Sequence, residues 1–339
     1  MADVFATSFG VLNYSGMLFN KGNVRTPLSS IIGSKAKTTN HVEFVTGQEY
    51  NTDLGDALKQ PEISENASLT APDATVVTRQ QKTNVTQIFQ ESVGISYGKM
   101  SNMGTLSGIN VEGQAANPMQ ELDFQVAAKI QQINAKIEYT FINGVYNKAA
   151  SDSEVNKTRG LVSAIESNAM AMGDKPLGLW DIAEMVKKVY GSNAPTDSLC
   201  LWCDAVTLFQ INADAVQNGL TVVPAAREIN GIQLSSVVTP IGVVYLYLGE
   251  YLPAGTALLL NLDVIAPVYQ PVPGKGNFFL EQLAKTGAGE KYQLFGQIGL
   301  DHGPEWYHGK FTGISTEFEK PTYSRSVYIA GGKLDSAAG

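Results

Sequence analysis

The residues best equipped for chemistry lie in three short stretches. "GISYG" at 94–98 fits G-x-S-x-G, which sets a nucleophilic serine, here Ser96, on a sharp turn from strand to helix. The next ten residues, "KMSNMGTLSG", carry no helical period, so the match reads as a glycine-rich strand exit. "DHGPEWYHG" at 301–309 gathers Asp301, His302, Glu305 and His308. All four could ligate a metal, but H-E-x-x-H spacing is absent and Gly303-Pro304 breaks the helix that would align them. A turn carrying surface polar groups is expected there. Cys200 and Cys203 form C-L-W-C inside an apolar run. A zinc site wants a second pair and a redox pair wants a helix N-terminus, so these read as buried thiols pointing to opposite faces of a strand.

The remaining candidates are weaker. His41 stands alone at a strand start and reads as structural. Gly274-Lys275-Gly276 and Gly287-Ala288-Gly289 lack the rest of any phosphate-binding fingerprint and read as turns. No pair of carboxylates and no basic-aromatic cluster stands out. No catalytic, metal-binding or cofactor-binding residue is expected, and the chain does not read as an enzyme.

The elements that would position such groups say more. The 339 residues suffice for about two domains. Charged residues make up 17% of the chain, against a usual ~25%, which fits a surface covered largely by neighbours. The net charge of −8 opposes tight binding to nucleic-acid phosphates. The first 25 residues lack the basic and apolar regions of a secretory signal, and no apolar run reaches the ~18 residues of a membrane span. The sequons at Asn66, Asn84 and Asn156 are therefore expected to carry no glycan.

The most regular segment is "NPMQELDFQVAAKIQQINAKIEYTFINGV", 117–145. Leu122, Val126, Ile130, Ile133, Ile137 and Phe141 form an apolar stripe at the helical period. Asn117 and Pro118 suit a helix start and Asn143-Gly144 a stop, so a long helix over 118–142 is predicted. Before it, residues 1–40 read as an extended arm with one short helix near Pro27–Ile32. "HVEFVTGQEY" at 41–50 and "NVTQIFQESVGIS" at 84–96 read as strands. Val42 and Phe44 share a face of the first. In the second, Val85, Phe89, Val93 and Ile95 alternate with Asn84, Thr86, Gln90 and Ser92. Joined across a polar loop at 51–82, they suggest a long hairpin that needs a neighbour to pack on.

After the helix, "RGLVSAI" at 159–165 leads into a mixed α/β module, about 166–270. A helix with Leu179, Ile182, Ala183, Val186, Val189 and Tyr190 opens it, followed by "LCLWC" as a buried strand, a helix in "AVTLFQINADA" and three strands in "GIQLSSVV", "VVYLYLG" and "TALLLNLDVI". Residues 277–318 return to strands and the last twenty form a polar tail.

This order of elements resembles the major capsid proteins of tailed bacteriophages, with the Hong Kong 97-type fold. Four stretches carry the resemblance: "TPLSSIIGSKAKTTNHVEF" (26–44), "NVTQIFQESVGIS", "KIEYTFINGV" with "RGLVSAI", and "HGKFTGI" (308–314). Phe44 stands where many relatives carry Trp. The resemblance implies an α+β fold with an N-terminal arm (1–40), an extended β-hairpin loop (41–96), and a peripheral domain containing the spine helix (97–165 and 271–320). It also implies an inserted α/β axial domain (166–270) and a tail (321–339). It implies hexamers and pentamers forming an icosahedral or prolate head around double-stranded DNA. The other implied features are a portal protein at one vertex, possible decoration proteins, assembly in the host cytoplasm, residence in the virion, and no membrane. The nearness of Met1 to the arm implies a separate scaffolding protein. An encapsulin-type compartment uses the same fold and is the alternative reading; a serine hydrolase using Ser96 and a decoration protein rank below it.

Overall fold

The computed structural model describes residues 25–50, 60, 62–71, 73, 76–77, 79–100, 121–217, 223–229, 232–285 and 287–317. In chain order the elements are α1 (Pro27–Ile32), β1 (Lys37–Thr38), β2 (Glu43–Tyr50), β3 (Arg79–Val85), β4 (Gln87–Ser96), α2 (Tyr97–Met100), α3 (Glu121–Asn143) and α4 (Leu161–Ala164). Then come β5 (Ala169–Lys175), α5 (Leu179–Gly191), β6 (Leu199–Cys203), α6 (Ala205–Gln217), β7 (Val223–Ile229), β8 (Ile232–Val238) and β9 (Val243–Leu248). The last strands are β10 (Ala257–Asn261), β11 (Ala266–Tyr269), β12 (Phe278–Gln282), β13 (Gly289–Asp301) and β14 (Gly309–Ile314).

Two sheets and a separate hairpin organise the chain. In the five-stranded sheet, the long β13 pairs along one edge with β4 and along the other with β12 and then β11, while β1 adds parallel to β11. The seven-stranded sheet has the order β5-β14-β10-β6-β9-β8-β7. The hairpin is β2 with β3.

Three expectations need correction here. The returning strand of the hairpin is β3, starting at Arg79, and the ladder breaks at Thr86, whose N–H donates to Val42 O (2.8 Å). Residues 87–96 leave the hairpin and join β13, which offers ten paired positions. Asn84 and Thr86 are buried rather than on the polar face, whereas Val42 is exposed. Asn84 gives its amide to Leu300 O (2.8 Å) and accepts from Arg159 N (2.7 Å), which ties the hairpin base to the body. Finally, β11 (266–269) belongs to the five-stranded sheet, and β14 (309–314) inserts into the seven-stranded sheet between β5 and β10. Strands β5 and β7 carry no alternation strong enough to be read from the sequence.

"LCLWC" is buried at all five positions, the signature of a strand covered on both faces. Leu199, Leu201 and Cys203 face α5 and α6 in one core. Cys200 and Trp202 face the other, with Leu28, Ile137, Phe141 and Leu294, so that core runs continuously from one sheet to the next. On α5, Ile182, Val186 and Val189 are buried with Met185, but Tyr190 is exposed.

Helix α3 is the spine. Its 23 residues span roughly 34 Å at ~1.5 Å each. The predicted start at Asn117–Pro118 and the side chain of Leu122 lie outside the described residues. Ile133, Ile137, Phe141 and Ile142 are buried, Val126 is half-buried, and Ile130 is 43% exposed. The period sets which face is apolar but not how far the covering elements reach. At its end, a Cβ on Gly144 would lie 2.4 Å from Thr158 O and 2.5 Å from Thr140 O. The chain doubles back there, with Gly160 N donating to Gly144 O (2.9 Å), and only glycine fits.

Candidate functional site: a buried polar junction between the sheets

The chain passes between the two sheets three times, at 165–168, 262–265 and 302–308. Such crossings leave backbone N–H and C=O groups without ladder partners, and buried ones must be satisfied otherwise. "DHGPEWYHG" does this. Asp301, His302, Glu305 and His308 are all buried, which overturns the expected surface turn.

Glu305 accepts from Glu166 N and Ser167 N (3.0 Å each) and from the Ser167 hydroxyl, holding the first crossing. Asn168 donates to Trp306 O (2.7 Å), and Lys310 N donates to Asn168 O (2.8 Å). The second crossing meets the third through His308: Asn261 N donates to its Nδ1 (3.1 Å), so Nε2 carries the proton and donates to His302 O (2.7 Å). Asp301 accepts from Gly303 N (3.0 Å) and Lys37 Nζ (2.6 Å). Gly303 has φ 64°, and a Cβ there would sit 2.9 Å from Val264 Cβ of the second crossing.

The electrostatics match neutral histidines. Full burial lowers His308 to about 4. Burial also lowers His302, aided by the Arg159 cation, against the pull of its Gly303 hydrogen bond. Burial alone would raise Glu305, but the Ser167 hydroxyl and the two amides outweigh it and hold the carboxyl below its ordinary value. Glu305 and His308 Nδ1 bind the other two crossings, and Asp301 and His302 Nδ1 bind Gly303 and Lys37. His302 Nε2 is buried without a partner among the described residues; the cluster acts as a fastener between the crossings. Among the described residues, no three His, Cys, Asp or Glu converge where an ion could sit.

The other candidates lie apart from this junction. Ser96 pairs with Gly289 at the first residue of β13, while His302 follows the last. Twelve residues of strand separate them, roughly 40 Å. His41 lies beside Val42, which meets Thr86, ten residues of extended chain from Ser96. A single helical turn, α2, follows Ser96, so the expected absence of helix needs correction, yet none of the three histidines comes within reach of the serine. The two thiols face opposite cores, and burial, with the Asp204 carboxylate next, pushes Cys203 well above its ordinary pKa. The Cys200→Ala/Cys203→Ala variant should lose about 1–2 kcal/mol of stability in denaturant melts and still form shells. Stoichiometric zinc in the native protein, absent from the variant, would contradict this. His41 is exposed, and Gly274-Lys275-Gly276 forms a turn with Lys275 Nζ on Glu281 (2.8 Å). Of the sequons, Asn84 is buried, Asn156 accepts from Ala149 N (2.8 Å), and Asn66 is exposed.

Sequence reasoning missed Glu138, although it lies between the buried Ile137 and Ile142 on the spine. It is fully buried and accepts from Leu28 N (2.7 Å) and Ser29 N (2.8 Å) at the start of α1.

A spine helix on a five-stranded sheet, a seven-stranded α/β module fastened to it by three crossings, and a hairpin outside both define a shell subunit of the Hong Kong 97 type. Residues 2–315 match the family described as "SU10 major capsid protein", and the chain belongs to that family. It is a major capsid protein of a tailed phage, a structural component of the virion that associates with copies of itself in the capsid lattice. The fold is similar to that of the SrpI encapsulin of Synechococcus elongatus (TM-score 0.59, 12% identity, covering 91% of this chain and 96% of that one). It is also similar to the capsid of cyanophage A-1(L) (TM-score 0.58, 10% identity, 89% and 96% covered). A third likeness is to a structure of Mycobacterium phage Patience (TM-score 0.54, 9% identity, 91% and 87% covered). Among curated proteins no sequence matches. At such identities the structures speak to fold alone, and the family match separates phage capsid from encapsulin.

Proposed function

We propose that the chain forms hexamers and pentamers that close into an icosahedral or prolate head around double-stranded DNA, with the hairpin as its inter-subunit clasp. One observation carries this reading. Every described residue from 60 to 77 is exposed, including Ile63, Leu69, Val76 and Val77 at 53–84%. Apolar side chains held clear of their own subunit fit a neighbour that covers them. In this scheme the hairpin of β2 and β3 with its tip is the extended loop, the five-stranded sheet with the spine is the peripheral domain, the seven-stranded sheet with α5, α6 and β14 is the axial domain around capsomer centres, and 1–40 and 321–339 are the arm and the tail. The role is structural and not enzymatic, and no cofactor is needed. The net charge of −8 supports a shell that encloses DNA without gripping it. A portal at one vertex, a separate scaffolding protein, decoration proteins and assembly in the host cytoplasm complete the scheme.

Replacing residues 53–77 by a short Gly/Ser turn tests it. The spine and both sheets should remain folded by circular dichroism, because every described residue of the tip is exposed and so buries nothing against them. Sedimentation and electron microscopy should find no closed shells. Shells of normal size from the shortened chain would sink the clasp assignment.

A further inference from the structure

Glu138 presents a puzzle in its setting. It is 0% exposed among Ile137, Phe141 and Ile142, and among the described residues no cation pairs with it. Burial raises its pKa, against the Ser29 and Leu28 donors, and the Glu250 carboxylate adds to the rise. A volume-matched apolar side chain would fill such a site more cheaply than a lone carboxylate.

The carboxylate's contacts show what it does. One oxygen takes Leu28 N–H and the other takes Ser29 N–H and the Ser29 hydroxyl. These amides open α1, and the residue before the helix, Thr26, makes no side-chain cap bond. The spine therefore supplies the cap from 109–110 residues away in sequence. Two oxygens on successive amides fix the rotation of α1 about its own axis as well as its position. Five residues on, Asn143 donates to Tyr251 O (2.6 Å), a bulky residue held at φ 61°. Next to it, Glu250 pairs with Arg25, just before α1 (3.5 Å). Residues 25–29, the spine and the turn after β9 are thus joined at one point.

We propose that Glu138 is an arm-positioning residue for shell assembly: by clamping the first turn of α1 to the spine, it sets the direction in which the chain before Pro27 leaves the subunit. Packing does not require the carboxylate; the geometry of that exit does.

The test separates folding from positioning. Glu138→Met keeps the side-chain length, adds little volume and removes both acceptors. On the unassembled chain, its melting temperature should stay within about 5 °C of the wild type. Amides of Leu28–Ile32 should exchange hydrogen at least tenfold faster, while those of 133–142 should not change. Electron microscopy should show open or misshapen particles. Ser29→Ala should move the α1 exchange in the same direction by less, and add nothing to Glu138→Met in the double variant. Closed shells of wild-type size from Glu138→Met would overturn the proposal, as would unaltered α1 exchange. Should Glu138→Met be insoluble, Glu138→Gln and Ser29→Ala carry the same readouts, and closed shells or unaltered α1 exchange in them would overturn the proposal equally. The proposal rests on the lattice role, but exchange is read before assembly. A wild-type chain that forms no shells would therefore count against that role and not against the clamp.

Discussion

Replacing Ile137 by aspartate should leave no folded protein, while the same change at Ile130 should leave a folded chain. Both residues lie on the apolar stripe of the spine, about two turns apart. Ile137 is 5% exposed in the core that joins the two sheets, and Ile130 is 43% exposed. An aspartate at 137 would strand a charge in the apolar core with Phe141 and Leu294 and remove a well-packed side chain. The combined cost is at least about 5 kcal/mol, against a typical total stability of ~5–15 kcal/mol. At 130 water reaches the new carboxylate, and the cost should stay near ~1 kcal/mol. Soluble yield and a cooperative thermal transition decide between the outcomes. Equal damage at both positions would mean that Ile130 is covered in the folded subunit.

Acid should loosen the junction between the sheets, and His308 sets the window. The fold keeps this imidazole neutral down to about pH 4, while the unfolded chain takes up the proton near pH 6.5. Between those values the unfolded state binds more protons, so stability falls as pH falls. The loss from this one group is about 3 kcal/mol across the window. His302, lowered for the same reason, acts in the same direction. Glu305, whose pKa is depressed, gives up its share at still lower pH, below the ordinary carboxylate value. His308→Asn can still accept from Asn261 N–H but cannot titrate. It should be less stable at pH 7, with a flatter profile between pH 6.5 and 4 in urea melts. A wild-type profile that is flat across that window would show that His308 is not held neutral by the fold.

Legibility in the sequence follows the range of the interactions. The period of Ile133, Ile137 and Phe141 and the continuous run "LCLWC" depend on local burial, and both segments formed the elements they suggest. The short helix at Pro27–Ile32 was equally plain. The destination of β14 was not. "GKFTGI" alternates as any strand does, and nothing within it distinguishes the seven-stranded sheet from the five-stranded one. The polar junction misled for a related reason. Asp, His and Glu beside Gly-Pro have the composition of a surface turn. Their burial follows only from three distant crossings meeting at one place. Glu138 did leave a trace, a carboxylate bracketed by Ile137 and Ile142, but its partner lies far back in the chain.

The placement of β14 also bears on when the subunit becomes itself. The strand lies between β5 and β10, so the seven-stranded sheet has a gap until residues 309–314 arrive. Its two flanking strands are made some 50 and 140 residues earlier in the chain. A nascent chain thus emerges with its spine and α/β helices already able to form, but with an open slot one strand in from the edge of the larger sheet. Pairings of such long range are slow, because the loop must close before contacts repay it. Translation order thereby acts as a timer. A chain stopped before residue 309 should therefore leave the larger sheet incomplete, with β5 cut off from β10.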